Sequence, residues 1–172
     1  MARLCARQFH NDAILETNGK VAAMKIADLL DGLELVQDFS YPELETMGGY
    51  MSLNAVAKGK IVFEEGDLGD FMLVVVEGRI AIYKGGEHGR QLLSSEMKGR
   101  IIGEMAMIDH ERRSATCIAE TDCELLILTS NNLKMLALEH PMLAYHFMAS
   151  LARILSRRLR RASGMMADFL QN

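Results

Sequence analysis

The apolar positions of this chain change their period twice. Between Val21 and Phe39 they recur at helical spacing, at Met24, Ile26, Leu29, Leu30 and Leu33, which predicts an amphipathic helix broken near Gly32. Ser40 followed by Glu43 has capping-box spacing, with Pro42 in the first turn, and so opens a second, short helix. From Met51 the pattern becomes short β-rich runs separated by "KGK", "EGDLGD", "VEGR" and "KGGEHGR". Short strands joined by glycine turns predict a sandwich or jelly-roll barrel. Val74, Val75 and Val76 are continuously apolar, as in a strand lying between two packed layers. After Thr129 the helical period returns. Ser130 is placed to cap one helix and Pro141 marks the break into another, whose apolar stripe is Leu143, Phe147, Leu151, Ile154, Leu155 and Leu159.

The predicted fold is therefore α+β. Residues 1–50 form an N-terminal helical cap, residues 51–129 a β-jelly roll, and residues 130–172 a C-terminal helix pair and tail. A length of 172 residues suits one domain, large enough to fold on its own core.

Composition narrows the function classes only a little. The net charge of -4 supplies no general attraction to nucleic acid or to anionic membranes. Cys5, Cys117 and Cys123 lack metal-ligand spacing, and the last two sit in apolar β-like sequence where a thiol acts as a small hydrophobe. Such usage fits a reducing compartment. The opening twenty residues lack a signal-peptide core, and no run reaches the ~18 to 20 apolar residues of a membrane span. A cytoplasmic protein is expected.

One loop carries candidate chemistry. In "IIGEMAMIDHERRSATCIAE", Gly103 opens a helical turn too short to be more than one or two turns. A helix N-terminus offers unpaired N–H groups to an anion, and a glycine there lets a ligand approach the main chain. Arg113 stands at the start of an inward strand, where its planar fork suits a phosphate. Glu104 would repel that phosphate unless it accepts a hydrogen bond from a neutral hydroxyl of the same ligand, such as a ribose. The plainer alternative is an ion pair between Glu104 and Arg113.

"GEMAMIDHERRSAT" resembles the phosphate-binding cassette of the cyclic nucleotide-binding domain family, here residues 102–116. The family's usual form is Gly-Glu-apolar-Ala-apolar, a variable loop, then Pro-Arg-small-Ala-Thr. "GKIVFEEGDLGDFMLVVVEGRIAIY" resembles its opening strands, with Gly59, Gly66, Asp67 and Gly78 at structural turns, and the likeness runs from about Leu30 to Ser163. It implies that Glu104 takes the ribose 2′-hydroxyl and Arg113 the cyclic phosphate. It also implies that amides near Gly103, Met105 and Ala106, with Ser114 and Ala115, surround that phosphate. His110 and Arg112 depart from the family's glycine and proline, and strand alternation expects Arg112 to face solvent.

The resemblance further implies a C-terminal helix that closes over the base, with Ile154 and Arg158 as base-lid candidates. The same two residues are also candidates for a homodimer seam with Phe147 and Leu151. The implied ligand is cAMP, or less favoured cGMP, since Ser114 could bond a guanine amino group. No cofactor, metal site or catalytic group is expected: His88, His110, His140 and His146 lack ligand spacing, and no nucleophile has an oriented base. The expected role is a sensor or regulatory module acting on an unknown effector protein. The other reading is an interaction module whose nucleotide site is vestigial. The basic run Arg153, Arg157, Arg158, Arg160 and Arg161 is read as the solvated face of the last helix. Only "GMMADFLQN" follows Ser163, too short for a helix-turn-helix, so nucleic-acid binding by that route is not expected.

Overall fold

A computed structural model describes residues 16–86 and 89–171. Cys5, His88 and part of the "KGGEHGR" turn lie outside the described residues. The first helix, α1 (Glu16–Leu30), stops before Gly32, whose φ of 76° is easy for glycine and turns the chain out of the helix. A short 3-10 turn (Glu34–Val36) leads to α2 (Tyr41–Gly48). Glu43 reaches back to accept from the Ser40 N–H at 2.8 Å and its hydroxyl at 2.7 Å, and Pro42 occupies the first turn as expected.

Eight strands follow: β1 (Ser52–Val56), β2 (Ile61–Phe63), β3 (Phe71–Glu77), β4 (Ile80–Gly86), β5 (Gly89–Glu96), β6 (Ile101–Ile102), β7 (Thr116–Ala119) and β8 (Cys123–Thr129). They pair antiparallel in two four-stranded sheets, ordered β1-β8-β3-β6 and β2-β7-β4-β5. The helix α3 (Glu104–Asp109) interrupts the strands between β6 and β7. After the strands come α4 (Ser130–Glu139) and α5 (Pro141–Gln171). The architecture is the jelly roll with flanking helices that the periodicity predicts.

Strand β3 explains how the two halves hold together. Phe71, Leu73 and Val75 point between the sheets, where they meet Val62, Phe63, Ile80, Leu125 and Ile127. Met72, Val74 and Val76 point the other way, into a helical core built on Leu30, Leu35, Leu44, Leu136, Phe147 and Leu151. A strand buried on both faces must be apolar throughout, which is why the alternation fails there. At roughly 25 cal/mol per Å² of apolar surface, each such side chain contributes about 1.5 to 3 kcal/mol.

Three expectations need correction. Thr129, not Ser130, caps α4: its hydroxyl accepts from the Asn132 N–H at 3.1 Å. Leu159 leaves the apolar stripe and is exposed, because α5 has by then run past the body it packs on. Nor is the basic run simply solvated. Arg153 pairs with Asp38 at 2.8 Å and Arg157 with Glu34 at 2.7 Å, pinning α5 to the segment around the 3-10 turn.

Candidate functional site

The chain must reverse sharply between β6 and α3, and Gly103 makes that turn at φ 83°. A second constraint acts at the same place. A Cβ on Gly103 would lie 2.5 Å from Nη1 of Arg113, so the glycine also makes room for the arginine. Sequence reasoning gave the glycine only a ligand to admit. At the other end of α3, His110 adopts φ 61°, the left-handed conformation in which glycine is at ease. That geometry accounts for a glycine preference at this position.

Arg113 is held inside the barrel. Its Nη1 donates to the Gly103 carbonyl at 2.8 Å and its Nη2 to the Phe71 carbonyl at 2.7 Å. The guanidinium carbon stacks over the rings of Phe63 and Phe71, with centroids at 4.1 and 4.6 Å. Both hydrogen-bond partners are neutral, and Nε is buried without a partner among the described residues. Burial pulls the Arg113 pKa down from the ordinary guanidinium value, against the raising influence of Asp70, Cys117, Asp67 and Glu104. The pairing of Glu104 with Arg113, the plainer reading of the loop, is not what forms.

Glu104 instead turns to the C-terminal helix. Arg158 Nη1 lies 2.7 Å from Glu104 Oε1, and Arg158 Nη2 donates to the Ile101 carbonyl at 3.0 Å. Burial pushes the Glu104 carboxyl above its usual pKa, with Arg158 opposing the shift.

These groups surround one cavity of about 150 Å³. Gly103, Glu104, Met105, Ala106, Arg113, Ser114, Ala115 and Arg158 all line it, so the structure gathers every expected cassette residue in one place. Of the two expected lid residues, Arg158 lines the cavity, while Ile154 is buried in the helical core. Arg112 faces outward and donates to the Gly66 carbonyl at 2.7 Å. Ser114 is exposed, and its carbonyl accepts from Lys84 at 2.7 Å.

Sequence reasoning missed the walls. Phe63, Ile82 and Cys117 line the apolar side of the cavity. Burial pushes the Cys117 thiol up to about 12, so it stays protonated and acts as a hydrophobe. Gly69 was also missed: a Cβ there would fall 2.2 Å from the Ala106 Cβ and 3.2 Å from Arg113 Nε. The signal was the second glycine of "EGDLGD", which no turn requires, since among the described residues it has no positive φ.

The pattern that defines the cyclic nucleotide-binding domain matches residues 53–140, which is just over half of the chain. The chain belongs to the cyclic nucleotide-binding domain family. It is similar to the cyclic AMP receptor protein of Thermus thermophilus, 30% identical over 134 residues that cover 77% of this chain and 60% of that protein. It is also similar to a CRP-like cAMP-activated global transcriptional regulator of Mycobacterium tuberculosis strain H37Rv, 26% identical over 66% of this chain and 49% of that protein. The chain thus spans about half to three-fifths of these relatives. A crystal structure of a cyclic nucleotide-binding domain from Methylobacillus flagellatus superposes with a TM-score of 0.75 at 28% identity, covering 87% of this chain and 84% of that one. Between β6 and β7, α5 packs directly against the start of α3 through the contact of Arg158 with Glu104.

No helix among the described residues is long and apolar enough to cross a membrane.

Proposed function

We propose that this domain binds a cyclic nucleotide, cAMP ahead of cGMP, and reports it to an effector protein through its C-terminal helix. The observation that carries the proposal is Arg113: a buried cation with no anionic partner among the described residues and a free Nε, on the wall of a cavity. Leaving a buried charge uncompensated is costly, and an anion entering the cavity removes that cost. Arg113 is assigned to the cyclic phosphate, with the amides near Gly103, Met105 and Ala106 beside it and Ser114 and Ala115 at its edge. Glu104 is assigned to the ribose 2′-hydroxyl. The preference for cAMP draws on the names of two relatives, a cyclic AMP receptor protein and a cAMP-activated regulator.

The cavity is smaller than the roughly 300 to 1,000 Å³ of ordinary small-molecule pockets. Arg158 and Glu104, which hold each other, both stand on its wall. Arg158 occupies Oε1 of that carboxylate and leaves Oε2 for a ribose hydroxyl, so a bound nucleotide meets Arg158 at the same group. Arg158 is then placed to stack on the base, and its altered hold on α5 becomes the output. The role is regulatory: the polar groups lining the cavity are two cations, one carboxylate and a hydroxyl, and the nearby thiol is protonated. The two buried free thiols fit a cytoplasmic setting.

Calorimetric titration with cAMP and with cGMP tests the proposal, with Arg113→Ala as the control. Breaking a buried charged contact on one side costs about 2 to 5 kcal/mol, so the variant should bind about thirty-fold more weakly or worse. No heat with either nucleotide in the wild type, or equal affinity in the variant, overturns it. The first result would favour an interaction module that keeps the fold alone.

A further inference from the structure

Ser114 and Ala115 line the cavity from a bend, between the bridge of Arg112 with Leu68 and the start of β7 at Thr116. Both lie outside the β ladders, so other contacts must orient their peptides. The Arg113 carbonyl accepts from the Gly66 N–H at 2.9 Å. The Ser114 carbonyl accepts from Lys84 Nζ at 2.7 Å. A trans peptide is planar, so each N–H points away from the carbonyl of its own peptide. Fixing the Ser114 carbonyl therefore fixes the direction of the Ala115 N–H. That N–H has no protein partner among the described residues, although Ala115 is buried.

The lysine is itself held. Its Nζ lies 2.6 Å from Glu65 Oε1, and Glu65 Oε2 accepts from the Gly85 N–H at 2.8 Å. Gly85 leaves room for this approach, since a Cβ there would lie 3.3 Å from Glu65 Oε2. Glu65 also donates its own N–H to Thr116 Oγ1 at 3.0 Å, and Thr116 is buried at the first position of β7. One clasp thus joins the turn after β2, the end of β4 and the bend that follows Arg113. As an ion pair, Lys84 and Glu65 add little to stability, because their side chains are 48% and 32% exposed. Their hydrogen bonds nonetheless go to main-chain groups beside the cavity, while neither side chain lines it.

We infer that Lys84 and Glu65 are positioning residues for the nucleotide phosphate: Lys84, seated by Glu65, fixes the Ser114 carbonyl and with it the Ala115 N–H that the phosphate meets. The inference rests on the cyclic-nucleotide reading above. The rival account is that Lys84 acts only as one more positive charge near the cavity. Glu65 separates the two. Removing its carboxylate leaves the neighbourhood more positive, which by charge alone strengthens the binding of an anion. If Glu65 seats Lys84, the same change weakens binding.

Calorimetric titration of the full chain with cAMP and with adenosine, which lacks the phosphate, tests this. Lys84→Met should bind cAMP about tenfold more weakly than wild type and adenosine equally well. Lys84→Arg, which can still donate to the Ser114 carbonyl, should recover most of the loss. Glu65→Ala should also weaken cAMP binding and leave adenosine unchanged. Urea midpoints should stay close to wild type in all three variants. The inference is overturned if Lys84→Met binds cAMP as wild type does, or loses cAMP and adenosine alike, or if Glu65→Ala binds cAMP more tightly. Each of these leaves the binding reading standing, because wild type still takes up cAMP. A wild type that takes up none overturns that reading and this inference with it.

Discussion

Arg158 and Glu104, fifty-four residues apart in sequence, share a hydrogen bond of 2.7 Å that joins the C-terminal helix to the cassette. The carboxylate is buried and the arginine about one-third exposed. The contact places the residue proposed for the lid on the carboxylate proposed for the sugar, so helix and ligand would meet at one group.

Removing Arg158 should therefore loosen α5 before any ligand is present. A hydrogen bond to a charged group is worth about 1.5 to 3 kcal/mol, and the partial exposure of Arg158 argues for the lower end. Hydrogen exchange across Ala152 to Ser163 should run about tenfold faster in Arg158→Ala than in wild type. In the wild type, saturating cAMP should slow exchange there, and in the variant that added protection should be mostly lost while phosphate binding persists. Identical exchange with and without nucleotide in the wild type would show that the helix does not respond to the site.

Under the proposed assignment, Glu104 should carry the discrimination for the ribose. With a charged acceptor at stake, wild type should prefer cAMP over its 2′-deoxy analogue by about ten- to hundred-fold. Glu104→Ala should bind the two analogues alike. Equal preferences in both proteins would remove Glu104 from the sugar.

Gly103 should tolerate nothing larger. Its φ of 83° disfavours any side chain, and the missing Cβ would sit 2.5 Å from the Arg113 guanidinium. Gly103→Ala should thus weaken nucleotide binding nearly as much as Arg113→Ala, although it touches no charge. Unchanged affinity would mean that Arg113 can be displaced without consequence.

How much of this was legible follows from what sequence encodes locally. The order of helices and strands could be read from periodicity, and the grouping of Gly103, Glu104, Ala106 and Arg113 from one continuous stretch. Contacts that cross the chain could not. The pairing of Arg158 with Glu104, and of Arg153 and Arg157 with Asp38 and Glu34, depends on where α5 docks. Helical spacing alone gave Ile154 and Arg158 a common face, but docking rotates one into the core and the other onto the cavity. Gly69 was missed for a similar reason. It leaves room where Ala106 and Arg113 meet, and the second glycine of the turn sequence does not say for which residues.

The buried carboxyl of Glu104 also predicts a pH dependence of stability with an unusual sign. Burial raises its pKa in the folded protein above the ordinary value of 4.5. The native state then holds this proton more tightly than the unfolded chain does. Stability from this group is fully present below about pH 4.5 and is lost as pH rises through the raised folded-state value. Half-buried carboxylates that accept hydrogen bonds, such as Glu65 beside Lys84, have lowered pKa values and act in the opposite direction. The whole-protein curve mixes both, so the informative quantity is the difference between wild type and Glu104→Gln, whose amide does not titrate. Urea midpoints for the pair, taken from about pH 7 down to about pH 4.5, should shift progressively in favour of wild type as the pH falls. A difference that stays flat, or moves toward the glutamine variant, would mean that Arg158 outweighs burial and holds Glu104 ionised throughout.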